Sequence, residues 1–301
     1  MLCAAIDIGS NTTRLLVAEP GDGQLRTVME QRAYTRIDSA SRRKGKITPE
    51  KVAEITEAVG TQRRLAEELE AEAIKTVATA AIREAKNCDK VVREIERGAG
   101  VEVQVLTEEQ EGRFAFLGAT KALGHPVDGE IAVVDVGGGS SEVILGTAAE
   151  GVSKVHSFKI GSGSLADTFL SDDPPSAAEL REVREHLTDF FEGVEIEQPA
   201  QAVAVGGSAT SLRRLVGAVL EYETLERGMR VLASDEIAEV ARRFELDPRR
   251  VRILPTGVLL LEKLSQLLGQ PLQIGKGGLR EGVILSLLNG KANGTRETVA
   301  A

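Results

Sequence analysis

Two short segments of the chain join an aspartate to a turn of small residues. Residues 7–12 read Asp-Ile-Gly-Ser-Asn-Thr and residues 135–140 read Asp-Val-Gly-Gly-Gly-Ser, each after an apolar run typical of a buried strand. Backbone N–H groups in such turns can approach an oxyanion closely, and an aspartate can hold a divalent cation. We therefore predict that both turns bind phosphate, through Ser10, Asn11, Thr12, Gly137, Gly138, Gly139 and Ser140.

A third glycine-rich turn follows the apolar residues 202–205 and precedes a helix. The amino end of that helix would add positive potential for an anion. One such turn is weak evidence, because tight turns are common, but three of them favour a phosphate site. None ends in the Gly-Lys-Ser/Thr of a Walker loop. The candidates in this third turn are Gly206, Gly207 and Ser208.

Two glutamates are candidates for handling a water molecule. Glu142 lies seven residues after Asp135, so a turn that folds back would bring both carboxylates to one cleft; an exposed strand glutamate is the alternative. Glu111 lies near the start of a helix that Thr107 begins, where interaction with the helix dipole would also explain it. Arg83 follows a strand and would either neutralise phosphate charge or form a surface ion pair.

The elements that position these residues alternate between strand and helix. Strands are predicted at about residues 2–8, 13–18, 24–30, 73–78, 101–106, 131–136, 142–145, 152–160 and 202–205. Thr48 and Pro49 begin one of the intervening helices, Thr107 and Gln110 form a capping box on another, and Gly98 ends a helix over 89–97. This alternation predicts parallel β-α-β units and an α/β fold.

The aspartate-led pattern recurs 128 positions along the chain, far beyond the period of solenoid repeats. We interpret it as two similar domains, residues 1–125 and 126–301. The last helix is expected to pack back on the first domain, and the tail after about residue 290 is expected to fray.

Composition excludes several classes of protein. The net charge of −9 argues against broad nucleic-acid binding, although it does not exclude a polyphosphate ligand. The basic clusters at residues 42–44 and 249–252 are interpreted as solvated faces. No run approaches a membrane span, the two cysteines imply no disulfide framework, and the three histidines lack metal-ligand spacing. These features predict a cytoplasmic protein with no membrane contact.

Together these motifs resemble the exopolyphosphatase/guanosine pentaphosphate phosphohydrolase (Ppx/GppA) family over about residues 3–290. The most specific pieces are residues 5–12, 135–142 and 278–282, with residues 79–85 and 205–210 in support. The resemblance implies two ribonuclease-H-like domains of the actin-like ATPase superfamily, with a cleft between them that grips a phosphate chain. It also implies that Glu142 and Glu111 are the essential glutamates.

The chain departs from the family pattern in three segments. Gln110 and Glu108 replace the usual Glu and Gly, residues 160–164 lack an arginine, and residues 36–39 read Arg-Ile-Asp-Ser in place of an Arg-Leu-Gly-Glu-like sequence. We expect these changes to affect substrate preference more than catalysis. The chain resembles the short, two-domain members of the family.

The resulting hypothesis is in-line attack of water on the terminal phosphoryl group of inorganic polyphosphate, and of pppGpp to give ppGpp. Mg²⁺, or Mn²⁺ in its place, would be held through Asp135 with Glu142 or Asp7. Glu142 or Glu111 would activate the water, and Arg83 would bind a phosphate. The alternatives are an ATP-dependent small-molecule kinase of the same fold group and a non-catalytic sensor of (p)ppGpp or polyphosphate. A homodimer is expected by analogy.

Overall fold

The computed structural model describes residues 1–21, 24–37, 45–125 and 127–292. The chain divides into two compact units, residues 1–124 with 277–301, and residues 125–276. The α/β class predicted from the sequence is confirmed.

The first unit is built on a five-stranded sheet in the order β3-β2-β1-β4-β5. Strands β1, β2 and β3 are antiparallel, whereas β4 and β5 run parallel to β1. The strands are β1 (Cys3–Ile8), β2 (Thr13–Gly21), β3 (Gln24–Ala33), β4 (Ala73–Ala78) and β5 (Val103–Val105). The helices between residues 45 and 124 are α1 (Pro49–Glu68), α2 (Ala80–Arg83), α3 (Cys88–Ala99) and α4 (Glu108–Lys121).

Local sequence signals begin and end these helices. The Thr48 side chain caps α1 by accepting a hydrogen bond from the Lys51 N–H, and the predicted capping box between Thr107 and Gln110 is present in α4. The prediction that Gly98 ends α3 was wrong. The helix continues to Ala99, and Gly100 ends it in the left-handed conformation with a φ of +67°.

The second unit contains a six-stranded sheet in the order β10-β11-β9-β6-β7-β8. Its strands are β6 (Ile131–Val136), β7 (Ser141–Thr147), β8 (Gly151–Phe158), β9 (Gln201–Val205), β10 (Val219–Leu220) and β11 (Leu272–Ile274). Its helices are α5 (Ser162–Phe169), α6 (Ala177–Phe190), α7 (Gly206–Val216), α8 (Tyr222–Ser234), α9 (Ile237–Phe244), α10 (Pro248–Val251) and α11 (Leu254–Leu268). Helix α11 is mostly buried and lies in the core of this unit.

The final helix, α12 (Leu279–Ala292), belongs to the first unit. Its residues Leu279, Val283 and Ile284 join a core on one face of the first sheet. The backbones of α12 and α4 approach each other closely at glycines. A Cβ atom on Gly118 would overlap the Gly278 carbonyl, and one on Gly282 would overlap the Phe114 carbonyl. The second unit therefore ends at residue 276, before the end of the chain.

In the described part of the chain, every helix is too short or too polar to cross a membrane. Several predicted features lie outside the described residues. These are the tip of the first hairpin at 22–23, the second half of segment 36–39, the basic cluster at 42–44, residue 126 at the predicted boundary, and the tail from 293.

Candidate active site

The first aspartate-led turn closes the β1–β2 hairpin. The Gly9 N–H donates to the Thr12 carbonyl at 3.0 Å, which tightens the turn. From outside the hairpin, the Ile37 N–H donates to the Ser10 carbonyl at 2.8 Å and the Arg36 N–H to the Asn11 carbonyl at 3.2 Å. Two carbonyls of this turn therefore face the 36–37 segment rather than an incoming anion.

Asp7, at the end of β1, is buried and pairs with an arginine directly across the hairpin. Its Oδ2 accepts a hydrogen bond from Arg14 Nη2 at 2.9 Å, and the two residues are opposite each other in the β1–β2 register. Asp7 Oδ1 is buried and has no hydrogen-bond partner among the described residues. Such an atom is suited to a bound water or cation, because an unsatisfied buried oxygen costs free energy.

Arg280, which lies in α12, is a second arginine that hydrogen-bonds to the strands of the first sheet near this hairpin. Arg280 donates to the Leu15 carbonyl at 3.2 Å and to Glu30 Oε1 at 3.1 Å. Burial lowers the pKa of the Arg280 guanidinium, and the neighbouring charge of Arg14 lowers it further. Two guanidinium groups therefore lie near Asp7, one of them bonded to it.

Arg83 and Glu111 form an ion pair within the first unit. Arg83 Nη1 lies 2.8 Å from Glu111 Oε2 and donates to the Leu106 carbonyl at 2.7 Å. Both side chains are partly buried, with 19% and 14% exposure. The structure thus shows the ion pair that was one alternative for Arg83, and it joins two residues predicted to serve the same reaction.

The substitution Gln110 has a structural role in this chain. Gln110 Oε1 accepts a hydrogen bond from the Thr107 N–H at 3.1 Å, and Thr107 Oγ1 accepts one from the Gln110 N–H at 3.1 Å. The glutamine therefore completes the cap that begins α4 and fixes the first turn, which carries Glu111.

The second aspartate-led turn is closed by the same type of hydrogen bond as the first, but its aspartate faces a glutamate instead of an arginine. The Gly137 N–H donates to the Ser140 carbonyl at 3.0 Å. Across the β6–β7 hairpin, Asp135 is directly opposite Glu142, which is only 6% exposed. Glu142 is therefore not the exposed strand residue that was its alternative, and it occupies the place that Arg14 occupies in the first hairpin.

Two carboxylates in directly opposite positions of a hairpin repel each other unless a cation lies between or beside them. Carboxylate oxygens are the ligands that Mg²⁺ prefers, and Mg²⁺ commonly takes one or two of them and completes its shell with water and phosphate oxygens. The described residues contain no group of three or more His, Cys, Asp or Glu side chains that could hold a metal. The pair Asp135 and Glu142 fits the two-carboxylate mode.

The third turn is brought beside this pair by the parallel pairing of β6 with β9. Asp135 lies opposite Val205, the residue before the turn. Gly206 has a φ of +82°, and a Cβ atom on it would overlap Asp135 Oδ1. Residues 206–208 were predicted as a turn before a helix, but they are the first residues of α7 itself. They form one local site in the second unit with the carboxylate pair, and Ser208 is buried there.

We expect Gly206→Ala to lower phosphate release as well as stability, because the added Cβ atom strains the backbone and also displaces Asp135. Gly151 provides a matched control, because its φ is +81° and a Cβ atom there would contact nothing within 4 Å. Each alanine should cost about 1–2 kcal/mol for the left-handed backbone. Only Gly206→Ala displaces Asp135, so it alone should also lower phosphate release, by at least about tenfold. Urea unfolding and a phosphate-release assay check both effects. Equal losses in the two variants would contradict the assigned contact.

Sequence reasoning missed two residues of this site. Arg250 was placed in a solvated cluster, but it is 6% exposed, and a Cβ atom on Gly207 would lie 2.6 Å from its Nη2. Ser162, in a segment noted only for a missing arginine, is 1% exposed and hydrogen-bonds to Gly137. Asp247 and Pro248 signal the start of a short helix, but that signal does not distinguish the buried Arg250 from its exposed neighbour Arg249.

Comparisons with known proteins identify the family of the chain. The sequence profile of the Ppx/GppA phosphatase family matches residues 16–291. Exopolyphosphatase 1 of Mycobacterium tuberculosis strain H37Rv is 30% identical, over 98% of this chain and 90% of that protein. Exopolyphosphatase 1 of Mycobacterium leprae is 29% identical, over 98% and 92%.

Solved structures of similar proteins share the fold of this chain. The crystal structure of the Ppx/GppA family member of Aquifex aeolicus superposes with a TM-score of 0.79 at 30% identity, covering 97% of this chain and 98% of that one. An exopolyphosphatase of Cytophaga hutchinsonii, 20% identical, shares the fold with a TM-score of 0.83, covering 96% and 98%. The predicted fold of two ribonuclease-H-like domains is confirmed. The chain belongs to the Ppx/GppA phosphatase family.

Proposed function

We propose that this chain is an exopolyphosphatase, which releases terminal orthophosphate from inorganic polyphosphate by attack of water. The observation that carries the proposal is the pair of facing carboxylates, Asp135 and Glu142, beside two glycine turns. Membership of a phosphatase family and the names of the relatives support it. Conversion of pppGpp to ppGpp is proposed as a second activity of the same site.

The carboxylate pair is proposed to hold Mg²⁺, with Mn²⁺ as a substitute. When bound, the cation would neutralise charge on the phosphoryl oxygens. Asp135 and Glu142 would hold it, since their mutual repulsion is relieved by a cation. Asp7 is a weaker candidate ligand because one of its oxygens already bonds Arg14; its buried Oδ1 remains suited to a bound water.

The remaining residues are proposed to position the phosphate and the water. Backbone N–H groups of the three turns would bind phosphate oxygens, and Arg83 would add positive charge. Glu142 or Glu111 would orient the water and accept its proton. In-line phosphoryl transfer depends on positioning and charge neutralisation, and these residue types supply both.

The departures from the family pattern do not favour a non-catalytic sensor. Gln110 caps α4 while Glu111 keeps its place, and the altered segment 160–164 packs on the second glycine turn. These two departures therefore have structural roles, while half of the third, segment 36–39, lies outside the described residues. The cytoplasmic location and the homodimer stay predictions.

The proposal is tested by measuring orthophosphate released from short polyphosphate, long polyphosphate and pppGpp, with Mg²⁺, with Mn²⁺ and then with a chelator. We expect metal-dependent release from polyphosphate that the chelator abolishes. Binding of polyphosphate without release would instead indicate a sensor. Transfer of phosphate from ATP to an added acceptor, without release from polyphosphate, would indicate a kinase. Either result contradicts the proposed function.

A further inference from the structure

The first residue of α5 donates two hydrogen bonds to one carbonyl of the second glycine turn. The Ser162 N–H lies 2.9 Å from the Gly137 carbonyl oxygen, and Ser162 Oγ lies 3.0 Å from the same atom. Two residues later, the Ser164 N–H donates to the Gly138 carbonyl at 2.8 Å. Two successive carbonyls of the turn therefore point at the amino end of α5.

The direction of these carbonyls determines the direction of the amides. In a trans peptide the C=O and the following N–H point in opposite directions. Because the Gly137 and Gly138 carbonyls point at α5, the N–H groups of Gly138 and Gly139 point away from it. Two successive N–H groups on one side of a turn form a concavity that binds anions. A flipped peptide would present a carbonyl oxygen to the anion instead.

The contact between α5 and the turn is a contact between backbones. A Cβ atom on Gly161 would lie 2.6 Å from the Gly139 nitrogen, and one on Gly163 would lie 2.9 Å from the Gly138 carbonyl oxygen. The small residues of segment 160–164 are thus required for the donors of α5 to reach the turn. The Ser162 and Ser164 N–H groups are used for this contact and are therefore not available to a phosphate.

Ser162 is itself held by two other elements. Thr256 Oγ1, in α11, donates to the Ser162 carbonyl at 2.7 Å. Ser208 Oγ, in the first turn of α7, lies 3.4 Å from Ser162 Oγ. All three side chains are buried. Ser162 therefore connects the second glycine turn, the first turn of α7 and the buried helix α11 of this unit.

We propose that Ser162 is a positioning residue, which holds the second glycine turn with the Gly138 and Gly139 N–H groups directed at a bound phosphate. The inference rests on the proposed function in so far as that turn binds phosphate. It differs from the roles assigned to Asp135 and Glu142, because Ser162 acts through the backbone and touches neither cation nor phosphate.

The test compares Ser162→Ala with Thr168→Ala, which removes an exposed hydroxyl from the same helix, bonded to the Ser164 carbonyl. Losing the Ser162 hydroxyl should weaken binding of inorganic phosphate, measured by calorimetry, about fivefold, the effect of one hydrogen bond. It should also reduce the phosphate-induced NMR shifts of the Gly138 and Gly139 amides. Thr168→Ala should match the unmodified protein. Thr256→Val, which releases the Ser162 carbonyl, should shift phosphate affinity in the same direction.

The melting temperature of Ser162→Ala distinguishes a positioning role from a structural one. We expect Ser162→Ala to keep its melting temperature within a few degrees of the unmodified protein while phosphate affinity falls. Unchanged affinity and unchanged amide shifts in Ser162→Ala would overturn the inference, as would absence of phosphate binding by the unmodified protein. If the unmodified protein binds phosphate but releases none from polyphosphate, the proposed function fails, and the affinity comparison still decides the role of Ser162.

Discussion

Glu142→Gln should lower the rate of phosphate release at least about 100-fold while leaving the fold intact. A lost general base commonly costs a factor of 10² to 10⁴, and the glutamine also removes the charge of one of the three candidate cation ligands. The free energy of unfolding measured without metal should change little, because glutamine has the size of glutamate and keeps an oxygen in the same position. Phosphate release and urea unfolding measure the two quantities.

Glu150→Gln is the control for this change, since Glu150 is an exposed residue in the turn that follows β7. It should leave both turnover and stability unchanged. Normal turnover in Glu142→Gln would remove the carboxylate pair from the proposed chemistry. A large loss of stability in that variant would show instead that the glutamate has a structural role.

Glu111→Gln is the second change expected to lower turnover at least about 100-fold. The glutamine keeps an oxygen for Arg83 and loses the negative charge, so the ion pair at 2.8 Å becomes a hydrogen bond from the Arg83 cation to a neutral amide oxygen. Because the glutamine still accepts a hydrogen bond from Arg83, the loss of stability should stay below the roughly 3–5 kcal/mol of a broken buried ion pair. Glu109→Gln is the matched control, because Glu109 lies in the first turn of α4 like Glu111 but pairs with Arg113 on the surface.

The pH dependence of kcat/KM assigns the general base between the two glutamates. The variant that has lost the base should lose the acidic limb of the profile in its residual activity, and the other variant should keep it. If Glu111→Gln turns over like Glu109→Gln, Glu111 has no catalytic role, and its contact with Arg83 is structural.

The sequence was sufficient for features that depend on local spacing. Asp135 and Glu142 are seven residues apart around a tight turn, so a hairpin places them opposite each other, as the β6–β7 register shows. The capping residues Thr48 and Thr107 were predictable because a cap is made with N–H groups a few residues away. Duplication of the aspartate-led hairpin likewise follows from a repeat visible in the sequence.

Features that depend on contact between backbone segments far apart in the sequence were not predictable. Ser162 matters because Gly161 and Gly163 let α5 contact a turn more than 20 residues earlier in the chain. Arg250 is buried against Gly207, a contact that no local pattern encodes. Charged residues in a basic run are usually solvated, and only the packing around α10 shows which one is not.

The position of α12 has a consequence for the order in which the protein forms during synthesis. Leu279, Val283 and Ile284 complete the core on the face of the first sheet that includes Cys3 and Leu16. A ribosome makes these residues only after the whole second unit. The first unit is therefore discontinuous in the sequence. Until the second unit has been synthesised, the first sheet lacks the α12 residues that cover part of one apolar face. In this molecule the domain begun first is finished last.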